Sequence, residues 1–216
     1  MVEASIKTGT TTLGIVCKDG IILAADKRAT GGGMPLRVMN KDVVKVLPIA
    51  ENMAVTIAGN VSDIQMVIKL IKAEIMIKKM RSMKELTVKE VANLLGTILY
   101  QNIRNFSTII AVTAFLLGGR DRAGYHLYEL TPDGCVMEIK DYATDGSGGE
   151  IAMAVLDSTY QKTITVNEGV KLAIKCIDAS IQRDTGSGEG ADVYSITKDG
   201  IQLVLQKKIT TTLQTA

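Results

Sequence analysis

Lys7-Thr8-Gly9-Thr10-Thr11-Thr12-Leu13-Gly14 is the stretch on which the reading of this chain turns. Its β-branched threonines, running into Leu13-Gly14-Ile15-Val16, suit the start of a strand. The same residues admit a chemical reading. Cleavage after Gly9 would turn Thr10 into a chain start that carries a hydroxyl nucleophile and a free α-amine together. A threonine hydroxyl needs a neighbouring base at neutral pH. An α-amine, with an ordinary pKa of about 7.7–8, has the strength to serve as one.

Composition narrows the alternatives. The 216 residues suit a single domain with its own core. Hydrophobic residues make up 46% and charged residues 22%, as in ordinary globular chains. A formal net charge of +2 gives no electrostatic case for nucleic acid. Lys69, Lys72, Lys78, Lys79 and Arg81 fall along one predicted helix and read as a solvated face. Residues 1–9 lack the apolar segment of a signal peptide, and no apolar run has the length of a membrane span. Cys17, Cys135 and Cys176 are widely spaced in apolar surroundings and read as reduced core residues of a cytoplasmic protein. His126 is the only histidine. The common His/Cys zinc sites and a histidine-based nucleophile pair thus have almost nothing to build on. Gly31-Gly32-Gly33 lacks the Lys-Ser/Thr of a phosphate loop and reads as a flexible loop. A nucleophile that needs no histidine, metal or organic cofactor survives this exclusion.

Asp-Gly turns at Asp19-Gly20, Asp133-Gly134 and Asp199-Gly200 lie between apolar or alternating segments and predict hairpins over 11–17/21–27, 125–131/135–140 and 192–197/201–206. Further strands are predicted at 43–48, 53–58 and 109–117. Ser62, Thr87, Ser147 and Thr165 each stand three residues before Gln65, Glu90, Glu150 and Glu168, the capping-box spacing. The helix after Ser62 carries Met66, Val67, Leu70, Ile71 and Ile75. The helix after Thr87 carries Val91, Leu94, Leu95, Ile98 and Leu99, and that after Thr165 carries Val170, Leu172, Ala173, Cys176 and Ile177. Each is amphipathic and must cover a sheet. Strands, two helices, strands, two helices, strands is the order of an α+β fold, with two stacked antiparallel sheets between helix layers.

In the first hairpin, an Asp19-Gly20 turn places Thr10 opposite Ala29 and brings Asp26-Lys27-Arg28-Ala29-Thr30 beside it. Strict alternation puts Asp26 on the opposite face from Thr10, so contact requires a bend. The three charges after Ile21-Ile22-Leu23-Ala24-Ala25 also suit a strand that simply reaches the surface.

Gly9 to Val16, followed by Leu23 to Thr30, resembles the β subunits of the archaeal-type proteasome core particle, threonine proteases among the N-terminal-nucleophile hydrolases. The similarity continues through Thr56-Ile57-Ala58-Gly59-Asn60-Val61-Ser62-Asp63, Leu116-Leu117-Gly118-Gly119, Ala143-Thr144-Asp145-Gly146-Ser147-Gly148 and Gln182-Arg183-Asp184-Thr185-Gly186-Ser187-Gly188. It implies a four-layer αββα sandwich over residues 10–216 and a propeptide, residues 1–9, removed by self-cleavage at Gly9-Thr10. It further implies that Thr10 is the nucleophile, Lys45 the lysine beside it and Asp26 the carboxylate that orients this lysine. Gly59 matches the oxyanion-binding glycine, and Ser147, Asp184 and Ser187 match the trio around the threonine amine and hydroxyl. Taken alone, Lys45 also suits a surface, Ser147 a helix cap, Gly59 a tight bend, and Asp184-Thr185-Gly186-Ser187-Gly188 a helix-ending loop.

Two departures stand out. The span from Thr30 to Lys45 is longer than usual, with Gly31-Gly32-Gly33-Met34-Pro35 as the excess. Lys41 then competes with Lys45, which better keeps the spacing to Ala58-Gly59. Arg104-Asn105-Phe106-Ser107-Thr108 also replaces an aromatic-proline stretch. By resemblance, Ala29, Val43, Leu47, Ile57 and Val61 line the pocket for the side chain before the scissile bond, so cleavage after hydrophobic residues is expected. As plain sequence they equally suit a core. The resemblance implies heptameric β rings stacked with α-subunit rings, a regulatory ATPase and unfolded protein substrates, in the cytoplasm. The alternatives are a non-catalytic structural β subunit that keeps residues 1–9, and an N-terminal-nucleophile amidohydrolase acting on small amides.

Overall fold

A computed structural model describes residues 9–31, 37–107 and 111–209. Strands β1 (Thr12–Cys17), β2 (Gly20–Asp26), β3 (Ala29–Gly31), β4 (Arg37–Asn40), β5 (Val46–Ala50) and β6 (Met53–Gly59) precede helices α1 (Val61–Ser82) and α2 (Val88–Arg104). Then come β7 (Thr113–Asp121), β8 (Gly124–Leu130), β9 (Val136–Ile139), β10 (Tyr142–Asp145), α3 (Gly149–Thr159), α4 (Val166–Arg183), β11 (Gly190–Thr197) and β12 (Gly200–Lys208). Two five-stranded antiparallel sheets result, in the orders β10-β1-β2-β11-β12 and β5-β6-β7-β8-β9.

Period-2 alternation in β2 splits its side chains between two interiors. Ile21, Leu23 and Ala25 meet Val46, Ala54, Leu116 and Leu127 between the sheets. Ile22 and Ala24 join Leu156, Leu172, Ala173 and Cys176 beneath α3 and α4. A third interior joins Val55, Phe115 and Leu117 to Ile64, Ile71, Val91 and Leu95 of α1 and α2. Three apolar interfaces between four layers make the αββα sandwich expected from the element order. Each fully buried Leu or Ile in them contributes about 1.5–3 kcal/mol relative to exposure.

Local signals explain two helix starts fully. Thr87 and Thr165 each accept a hydrogen bond from the backbone N–H of the glutamate three residues on, and that glutamate returns the contact to the threonine N–H. Ser62 does not cap α1. The helix follows immediately on β6, and Asn60 caps it by accepting from the Ser62 N–H. Nor does Ser147 cap α3, whose cap position is Gly148, with no side-chain bond.

The first hairpin also differs from its expected register. Cys17 pairs with Gly20, so Lys18-Asp19 form the turn and Asp26 falls opposite Thr11. The segment expected as strand 43–48 becomes regular only at Val46, and the strand expected at 109–117 is regular over Thr113–Asp121. Its first two residues, like residues 1–8, Thr108 and all of 32–36, lie outside the described residues. Strands β3, β4 and β10 are additions. On α1, Val67, Ile71 and Ile75 are buried, but Met66 and Leu70 face outward with Met76, Met80 and, just past the helix end, Met83. Cys17 and Cys176 are buried thiols, pushed up to about 12 by burial, whereas Cys135 is exposed rather than part of the core.

Candidate active site

Thr10 lies just before β1, where four separate segments converge, and is only 5% exposed. Its hydroxyl donates to the Gly9 carbonyl oxygen at 2.6 Å. Lys45 Nζ reaches the same hydroxyl oxygen at 3.1 Å and donates to Asp26 Oδ1 at 2.6 Å. Asp26, at the end of β2, also accepts the Thr11 N–H through Oδ1, and the N–H groups of Arg28 and Gly188 through Oδ2. Four donors thus hold the carboxylate on which the lysine rests. The strand-end bend expected for contact between Asp26 and Thr10 is unnecessary, because Lys45 spans the gap.

Lys45 itself is 3% exposed. Burial pushes its ammonium below the usual lysine value, against the opposing pull of Asp26. Its backbone carbonyl accepts the Ile57 N–H, which fastens the residue to β6.

A second set of contacts surrounds the Thr10 nitrogen, which donates to Ser147 Oγ at 3.2 Å. Ser147 Oγ donates to Asp184 Oδ2 at 2.7 Å, and Ser187 Oγ donates to the same oxygen at 2.6 Å. Asp184 closes α4, so the end of that helix decides where both serines are held. Thr10, Asp26, Lys45, Ser147, Asp184 and Ser187 therefore form one hydrogen-bonded assembly.

Gly59 stands apart from that assembly. It ends β6 opposite Thr113 at a φ of +118°, where a side chain would strike the Val112 carbonyl. Only glycine suits both conditions. Of the expected pocket residues, Leu47 and Ile57 are half-buried against the α1/α2 interior. Val43 gives its N–H to the Lys27 carbonyl, and Ala29 pairs with Asn40 in β3. Val61, the first residue of α1, is 59% exposed and belongs to no core.

Three participants went unrecognised in the sequence. Thr11 spans both halves of the site, its N–H on Asp26 and its hydroxyl 2.6 Å from Ser187 Oγ. Thr30 Oγ1 accepts the Gly9 N–H at 2.8 Å. The Gly186 backbone packs so closely on Gly9 that a Cβ at residue 9 would overlap it. The Thr10-Thr11-Thr12 run was the available signal for Thr11. The hairpin that brings residues 26–30 beside Thr10 was the signal for Thr30, and the Asp184–Gly188 stretch that for Gly186.

Among the described residues no group of His, Cys, Asp and Glu is arranged to hold a metal ion. His126 lies on β8, in the other sheet, between Asp121 and Glu138. Among the described residues no helix is long and apolar enough to cross a membrane.

Residues 6–196 match the proteasome subunit family. The chain is 39% identical over 198 residues to the proteasome subunit beta of Ferroglobus placidus, an alignment covering 92% of this chain and 91% of that one. It is 38% identical to the proteasome subunit beta of Archaeoglobus fulgidus, over 92% of this chain and 90% of the relative. The corresponding protein of Methanocaldococcus vulcanius is 38% identical, over 94% and 88%. An αββα sandwich, a buried threonine facing a lysine, and similarity to β subunits over 92–94% of the chain agree: the chain belongs to the proteasome subunit family.

Proposed function

We propose that this chain is a self-processing threonine endopeptidase subunit of a proteasome core particle. The observation that carries the reading is the position of Lys45 Nζ, bonded to Asp26 and 3.1 Å from a Thr10 hydroxyl that already touches the Gly9 carbonyl. In the uncut chain the Thr10 nitrogen is an amide and cannot act as a base. Lys45, whose buried amine holds its proton less tightly than usual, takes the hydroxyl proton instead. Thr10 Oγ1 attacks the Gly9 carbonyl carbon, the Gly9–Thr10 amide bond breaks as its nitrogen gains a proton, and the acyl group is left on oxygen as an ester. Water hydrolyses that ester and releases residues 1–9.

Cleavage frees an α-amine at the place where Ser147 Oγ lies within 3.2 Å. Ser147, Ser187 and Asp184 then orient this amine, which shares with Lys45 the task of taking the hydroxyl proton during peptide hydrolysis. The Gly59 N–H stabilises the oxyanion, a role worth about 2.7–4 kcal/mol where it has been measured. Ala29, Val43, Leu47, Ile57 and Val61 form an apolar pocket, giving cleavage after hydrophobic residues. α subunits, further β subunits in heptameric rings and a regulatory ATPase complete the particle, which degrades unfolded chains in the cytoplasm.

The test is assembly with an α ring, followed by N-terminal sequencing and peptide hydrolysis, for the native chain and Thr10→Ala. A new N-terminus at Thr10 and hydrolysis after Leu or Tyr, both lost in Thr10→Ala, are expected. Assembled, unprocessed and inert native particles would instead assign a structural subunit.

A further inference from the structure

The residue after Asp26 has no part in the chemistry above, yet it is a fully buried lysine. Lys27 Nζ donates to Asp192 Oδ2 at 2.8 Å and lies 3.1 Å from Asp42 Oδ1. Asp192 is 1% exposed, whereas Asp42 is about half exposed and is also held by Lys208. Lys27 follows directly on the end of β2, whose Ile21, Leu23 and Ala25 fill the interior between the sheets. An apolar layer therefore ends in an ion pair directly behind the catalytic cluster. Burial draws the Lys27 ammonium down, but hydrogen bonds to Asp192 and Asp42 outweigh it and leave the group firmly charged.

Stability does not explain such a pair. Desolvating two charges costs several kcal/mol, and apolar replacements of similar volume are often neutral or stabilising. Location explains it better. Residues 42–45 lie in no strand, and the segment first joins the sheet at the Lys45 carbonyl, which accepts the Ile57 N–H. Lys27 fastens this segment twice, its side chain on Asp42 and its carbonyl on the Val43 N–H at 3.0 Å. Two residues further, Lys45 returns to Asp26, the neighbour of Lys27. Residues 26 and 27 thus grip residues 42, 43 and 45 from both faces of one strand end.

We propose that Lys27 and Asp42 are positioning residues for Lys45, clamping the irregular segment that aims its amine at Thr10. The clamp rests on the proposed role of Lys45 and extends it to residues that touch neither nucleophile nor substrate. Loss of the Asp42 charge frees the start of the segment and lets Lys45 drift. A displacement near 1 Å from a remote substitution can cost on the order of a hundredfold in rate, so a partial loosening here should cost about tenfold.

Full-length native chain, Asp42→Asn, Asp42→Glu and the double variant Lys27→Met/Asp192→Leu would each be assembled with α subunits. Self-processing, kcat and KM for a Leu-ending fluorogenic peptide, and thermal midpoint would be measured. Asp42→Asn should lower kcat and the processing rate about tenfold with KM and midpoint nearly unchanged, and Asp42→Glu should recover most of the loss. The double variant, free of both buried charges, should be as stable as native yet slow; a purely structural pair predicts the reverse. If it does not fold, Asp42→Asn decides alone. Native rates in Asp42→Asn, or a change confined to KM, would overturn the clamp while leaving the proposed function intact. A native chain as inert as Thr10→Ala would overturn both.

Discussion

The amine of Lys45 joins Asp26 to Thr10, 2.6 Å from the carboxylate and 3.1 Å from the hydroxyl. The carboxylate is held by three backbone N–H groups, so the lysine rests on a fixed partner. Lys45→Ala should therefore abolish self-processing, a loss of at least the roughly 10²–10⁴-fold typical of positioned proton transfer. Chain length by mass spectrometry after assembly provides the check.

The same lysine sets a pH dependence. Burial lowers its pKa, so the neutral, proton-accepting form grows as pH rises towards that lowered value. Self-processing should accelerate with pH through this window and then level off. Stability should follow the same sign, because the folded state binds fewer protons than the unfolded one between the lowered pKa and the ordinary value. The burial penalty is present below the folded pKa and disappears as pH rises through the window. A processing rate that falls steadily from pH 6 upward would contradict the assignment.

Gly9→Ala should impair processing without harming the fold. Its Cβ would overlap the Gly186 backbone and crowd Thr30 Oγ1, pushing the Gly9 carbonyl away from the Thr10 hydroxyl. A loss of about tenfold or more is expected, on the displacement argument. A time course of band conversion on a denaturing gel would measure it.

Ser147 and Thr165 offer a matched pair. Thr165 closes a capping box, so Thr165→Ala should cost about 1 kcal/mol of stability and leave the rate alone. Ser147 caps nothing and instead joins Asp184 to the Thr10 nitrogen, so Ser147→Ala should slow peptide hydrolysis and barely shift the denaturation midpoint. Urea titration beside peptide turnover separates the two.

Thr11→Val keeps volume and shape but removes the hydroxyl that meets Ser187. Leaving that serine short of a buried partner should cost about 1–3 kcal/mol and loosen the Asp184 side of the site. Turnover should drop while the Thr10 N-terminus still forms, which Edman sequencing would register.

The legible parts of this protein were the local ones. Thr87 and Thr165 announced helices because a capping box needs only residues three apart. Ser62 carried the same pattern and lost the role to Asn60, since the end of β6 fixes where α1 must begin. The Asp19-Gly20 pair marked a turn but not its register, because Gly20 fits equally well as a strand residue opposite Cys17. Periodicity grouped Met66 and Leu70 with Val67, Ile71 and Ile75 on the covering side of α1, yet only the last three are buried. At the site, the resemblance supplied Thr10, Asp26 and Lys45 individually. Their arrangement depends on β2, the segment before β5 and the end of α4 meeting in space, and no local pattern encodes it. Lys27 stayed invisible for that reason: its partners Asp42 and Asp192 lie far along the chain.

The outward methionines of α1 have a practical corollary. Met66, Met76 and Met80, with Met83 just past the helix end, are exposed to water, while Met53 is enclosed at 5% exposure. Mild peroxide should add oxygen to the outer thioethers first, turning a greasy ridge into a polar one and leaving the interior intact. Any neighbour that settles on this helix will shade those sulfurs, so the pattern of added mass becomes a footprint of whatever lies against it.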